Sequence, residues 1–196
     1  MSNAKSHELV RRLVESAILI AIGTVLSEIT KIDMPLGGGL TLCSMLPLVF
    51  ISHRWGTRWG LFTAFVYSLL QLLLGMNNVQ YATSAFMAVG IVLLDYVVPY
   101  TLIGLSAMFK KKAKSIQSSL VWGIVFTFAL RFVCHYITGW WIWEALWPNE
   151  FGWASPVYSL AYNVIYMVPE IIITAVVAVL LVKTPLKKYI LAEDLK

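Results

Sequence analysis

Arg131, His135, Gly139 and Trp143 recur every four residues within RFVCHYITGWWIW. On a helix that spacing makes one drifting stripe: a cation, an imidazole, a gap and an indole. A loop marked by Pro148 and Gly152 follows, and Tyr158 and Asn163 open the next apolar segment. An earlier apolar run carries Asp95 beside Tyr96. The chemistry these groups offer is recognition. A carboxylate accepts from an exocyclic amine, an amide both donates and accepts, and indole and phenol faces stack on a planar ring or a cation. A planar, nitrogen-rich heterocycle fits such walls.

The same residues exclude other chemistry. Cys134 and His135 are adjacent, so they point to different helix faces and make a poor metal pair. Ser106 and His135 fall near opposite ends of their spans, which rules out a nucleophile–base dyad. No Gly-Lys-Ser/Thr follows Gly37-Gly38-Gly39, so that run is a flexible loop and not a phosphate cradle. The expectation is a binding protein that is not an enzyme and holds neither cofactor nor metal.

The elements that must position these groups are membrane helices. The chain of 196 residues is 59% hydrophobic and only 13% charged, with a mean hydropathy of +0.77. A soluble domain is about a quarter charged. Apolar residues come in long runs, which predicts one membrane domain over 1–196 with spans at about 9–28, 40–53, 59–74, 83–109, 118–141 and 156–182. The first run lacks a small-residue cleavage site and reads as a span. The second is short enough to be re-entrant, and charge placement decides it. If it crosses, Lys5, Arg11, Arg12, Arg54, Arg58, the Lys110 cluster and the C-terminal lysines share one side, leaving Lys31 alone opposite. Basic residues in short loops mark the cytoplasmic face. Six spans with both termini cytoplasmic follow, and the net charge of +5 then faces lipid and cytoplasm and implies no nucleic acid.

Depth points to a site. At about 1.5 Å rise per residue, Asp95, His135 and Asn163 come out roughly 22, 25 and 30 Å above the basic edge. Three polar groups from three spans thus share a level in the outer part of the bilayer, with Tyr96, Trp143 and Tyr158 at or above it. Arg131 and Glu170 both fall at roughly 20 Å, where ionisable groups face the bundle interior and pair. Tryptophans 140, 141, 147 and 153 fit an interfacial belt.

Four strings carry a resemblance over nearly the whole chain: MPLGGGLTLCSMLPL at Met34–Leu48, LLDYVVPY at Leu93–Tyr100, RFVCHYITG at Arg131–Gly139, and YSLAYNVIYMVPE at Tyr158–Glu170. The chain resembles the thiamine-specific S-components of energy-coupling-factor (ECF) transporters, the ThiT/YuaJ family. That resemblance implies an all-α integral membrane fold, a compact six-helix bundle of the S-component type in the bacterial plasma membrane. Its site would lie near the outer surface under a lid at about Lys31–Gly39. By matching position, it implies that Asp95, His135, Tyr158 and Asn163 hydrogen-bond thiamine, chiefly at its aminopyrimidine. Tyr96 and Trp143 would border the rings, and Gly139 would leave room for them. Some members carry glutamate where Asp95 stands. Met76 to Met87 looks longer than in some relatives, and no contact is carried over from it.

The resemblance further implies high-affinity thiamine capture from outside and delivery with an ATP-driven module. The implied partners are a transmembrane coupling subunit and two cytoplasmic ABC ATPases, docked through Ala17 and Ala21. Small residues four apart allow close helix approach in lipid. Two other functions stay open: an S-component for another heterocyclic vitamin, and a stand-alone proton-coupled carrier relaying protons through Asp95, His135 and Glu170.

Overall fold

A computed structural model describes residues 2–191, with side chains from Ser6 onward; the Lys5 side chain and residues 192–196 lie outside the described part. The chain is almost entirely helical. Helix α1 (Ser2–Ile29) leads into a hairpin of two-residue strands, β1 (Ile32–Asp33) and β2 (Gly39–Leu40), paired antiparallel with Ile32 opposite Leu40. Next come α2 (Leu46–Trp55) and α3 (Thr57–Leu74). Three long helices complete the bundle: α4 (Ala85–Phe109), α5 (Ile116–Leu146) and α6 (Ser155–Leu181). Single turns at Met76–Val79 and Lys187–Ile190 sit in the connections.

Among the described residues, α3, α4, α5 and α6 are long and apolar enough to cross a membrane. Their outward faces carry apolar side chains such as Phe62, Phe86, Trp122 and Ile172. Exposed apolar faces on helices of this length belong in lipid. The protein is an all-α, multi-pass membrane protein.

Helix boundaries follow local chemistry. Ser84 and Ser115 cap α4 and α5, accepting from the amides of Met87 at 3.2 Å and Ser118 at 3.1 Å. Each satisfies a donor that has no intrahelical partner. Gly56, at φ +89°, is the single residue between α2 and α3. That backbone conformation suits glycine.

The expected 40–53 segment forms differently. Its helix starts only at Leu46, where Pro47 supplies the preset φ of a first turn. Before it, Leu40 pairs in the hairpin, and Cys43 takes a left-handed φ of +59°. Ten helical residues rise about 15 Å, half a hydrocarbon core. A non-helical lead-in, residues 41–45, precedes the helix. Leu40 packs on Tyr166 and Met167, whereas Arg54 donates to the Tyr189 carbonyl beyond the far end of α6. Eight of the ten α2 residues are buried, which makes it the central helix of the bundle. Helix α1 is peripheral, turning Ser16, Ile20 and Gly23 inward and leaving Ala17 and Ala21 exposed.

Arg11, Arg12, Arg54 and Lys110 lie at one end. Glu15 accepts from Arg54 at 2.5 and 2.8 Å and from the Trp55 indole at 2.8 Å, and Lys110 Nζ donates to the His53 carbonyl at 2.6 Å. The hairpin lies at the opposite end, against Tyr158 and Tyr162 at the start of α6.

Candidate functional site

Under the hairpin, α4, α5 and α6 enclose a cavity of about 450 Å³. Two helices change pitch where they border it. Val92–Val97 in α4 and Gly139–Trp143 in α5 are π-helical turns, and they carry Asp95, Tyr96, Gly139 and Trp143. A wide turn breaks the regular hydrogen-bond ladder and re-aims side chains, and such turns concentrate at functional sites. Residues four apart on an α-helix drift by roughly 40° per step. Widening the last turn opposes that drift, so Trp143 stays over the same cavity as His135.

All seven residues singled out from the sequence line this cavity: Asp95, Tyr96, His135, Gly139, Trp143, Tyr158 and Asn163. Asp95 is its hub. One carboxylate oxygen accepts from the Thr138 hydroxyl and faces His135 Nδ1 at 3.2 Å, and the other accepts from Trp143 Nε1 at 2.7 Å. The carboxylate is therefore not bare in the membrane; α5 supplies three donors to it. Because a carboxylate only accepts, His135 carries its proton on Nδ1. Its Nε2 is buried with no hydrogen-bond partner among the described residues.

The remaining expected contacts are partly committed to the protein itself. The Asn163 amide donates to the Ser159 carbonyl at 2.8 Å and accepts from the Tyr166 hydroxyl at 2.8 Å. Tyr158 donates to the Leu36 carbonyl at 2.9 Å, tying α6 to the hairpin. Tyr96 donates to the Gly75 carbonyl at 3.1 Å and accepts from Asn78 at 2.7 Å. At Gly139 a Cβ would collide with the Ser159 hydroxyl, so the missing side chain also lets α5 approach α6.

Thr138, Tyr162, Tyr166 and Asn78 also line the cavity and escaped the sequence reading. Thr138, three residues after His135, shares the stripe of Arg131 and His135. Tyr158, Tyr162 and Tyr166 form a ladder at four-residue spacing with ring centroids 6.1 and 5.8 Å apart. That periodicity is visible in YSLAYNVIY. Asn78 comes from the Met76–Met87 segment, from which the family resemblance carries over no contact. Trp147, read as a belt residue, lines the cavity and stacks on Trp143 at 5.7 Å and 15°. Arg131 is at the floor, 6% exposed, paired with Glu170 at 2.6 Å and lying 5.5 Å from the Tyr100 ring. Among the described residues no cluster of three or more His, Cys, Asp or Glu is placed to hold a metal.

Similarity to known proteins matches this architecture. A solved structure of ThiT from Listeria monocytogenes shares the fold with a TM-score of 0.73 at 23% identity, covering 92% of this chain and 97% of that one. The thiamine transporter ThiT of Bacillus subtilis (strain 168) is 34% identical over 192 residues, 92% of this chain and 94% of the relative. The family described as thiamine transporter protein (Thia_YuaJ) matches residues 13–190. By sequence and over nearly its whole length, the chain belongs to the Thia_YuaJ thiamine transporter family.

Proposed function

We propose that this protein is the high-affinity thiamine-capturing subunit of an ECF-type vitamin transporter. One observation carries the reading: a carboxylate, an imidazole and an indole from two helices form one hydrogen-bonded set on a tyrosine-lined cavity beneath a glycine hairpin. The walls suit a flat, cationic heterocycle, with aromatic faces for the ring and Asp95 for the charge. His135 Nε2 accepts from the aminopyrimidine, Trp143 and Trp147 flank the rings, and Tyr96, Gly139, Tyr158 and Asn163 complete the shell.

Six segments cross the membrane, with the basic end and both termini in the cytoplasm. Ala17 and Ala21, exposed on peripheral α1, face the transmembrane coupling subunit. Two ABC ATPases energise release, since no phosphate-binding loop occurs in this chain. Titration calorimetry of the purified protein against thiamine and a panel of other vitamins tests the ligand. Tight binding of another vitamin and not of thiamine would replace the assignment. Proteoliposomes holding this chain alone test the energetics: thiamine uptake driven by a pH gradient would instead make it a stand-alone carrier.

A further inference from the structure

The strand that leaves the hairpin is fastened to the cavity floor by a buried polar chain. Glu170, 1% exposed on α6, uses both carboxylate oxygens. Oε2 accepts from Arg131 Nη1 at 2.6 Å, and Oε1 accepts from the Thr41 hydroxyl at 2.7 Å. Thr41 directly follows β2, and its Oγ1 also lies 2.7 Å from Ser44 Oγ, just ahead of α2. Between them Cys43 makes the left-handed turn into that helix. Arg131 lines the cavity, and its Nε is buried without a hydrogen-bond partner among the described residues. Arg131, a residue of the cavity lining, is therefore linked, through one carboxylate, to the base of the hairpin. The hairpin tip is held separately, by Tyr158 on the Leu36 carbonyl.

We infer that Glu170 is a positioning residue, which clamps the base of the hairpin to the Arg131 floor and so sets how long the cavity retains its ligand. The physical ground is the strength of charge-assisted hydrogen bonds in a water-poor interior. An interior ion pair alone would account for Arg131 and Glu170, but it leaves the Thr41 bond unexplained. With that bond the hairpin cannot lift at its base without stripping a partner from a buried carboxylate.

The inference rests on the thiamine reading for its kinetic arm only. Thr41→Val removes the hydroxyl with little change of shape, and Thr41→Ser keeps it. Hydrogen exchange without ligand should show the amides of residues 32–42 exchanging about tenfold faster in Thr41→Val than in the original protein, with α6 unchanged and Thr41→Ser close to the original. Stopped-flow tryptophan fluorescence with thiamine should show dissociation accelerated by about the same factor and association little altered. Unchanged hairpin exchange in Thr41→Val, or acceleration spread evenly over the chain, would overturn the clamp. Faster hairpin exchange with unchanged dissociation would overturn its control of ligand retention. Failure of the original protein to bind thiamine would overturn the ligand reading and leave the exchange result to judge the clamp.

Discussion

The two ends of the bundle are packed by opposite means. At the basic end glycine and serine bring helices into backbone contact. A Cβ at Gly60 would lie 2.6 Å from the Ser52 Cβ and 2.8 Å from the Gly104 carbonyl, and one at Gly123 would strike the backbone of Ser106. Ser52 seals the junction, donating to the Gly104 carbonyl at 2.6 Å and accepting from the Ala107 amide at 3.3 Å. At the hairpin end tyrosines and tryptophans stand between the helices. A cavity of about 450 Å³ remains among them. Small residues let membrane helices approach closely. The membrane supplies no hydrophobic force between helices, so side-chain size governs that approach.

Substitutions at each end can break this contrast. The largest effect belongs to the closed end. Gly123→Leu should cost on the order of 3 kcal/mol, as overpacking does when backbone has nowhere to move. Thermal unfolding in detergent reads it, and an unchanged midpoint would mean that the glycine contacts do not hold the bundle. At the open end Asp95→Asn should weaken thiamine binding by about 2 kcal/mol while the fold persists, because charge-assisted bonds to Trp143 and His135 lose their anion. Unchanged affinity by calorimetry would remove Asp95 from the site.

Gly38→Ala comes next. Its φ of +74° disfavours any side chain, and a methyl would meet the Tyr162 hydroxyl at 2.7 Å. A loss of about 1.5 kcal/mol in affinity is expected from the backbone term alone, with little change in melting. Equal affinity would show that the hairpin does not close over the ligand. Trp143→Phe is the mildest, keeping a ring and losing the indole donor. About 1 kcal/mol of affinity should go, together with much of the ligand-induced fluorescence quench. A quench of full size would assign that signal to Trp147.

Both ends were legible to different degrees. The four-residue stripe from Arg131 and the similar depths estimated for Asp95, His135 and Asn163 follow from regular helical rise and pitch. Thr138 and the tyrosine ladder were equally periodic in sequence, but their residue types blend with ordinary span chemistry. The closed end left only scattered glycines, and nothing in Gly60, Gly104 or Gly123 names its partner.

Sequence by itself determined that this is a membrane protein of long apolar helices, and it picked out polar residues that line one cavity. Residue type fixes the free energy of burial in lipid, and spacing fixes position along a helix. Tertiary structure alone decided that Asp95 is held by Thr138, Trp143 and His135, that Asn163 is bonded within α6, and that Glu170 joins Arg131 to Thr41. Those outcomes depend on helix rotation and on two local changes of pitch. Contacts between distant segments set both, and hydropathy does not encode them.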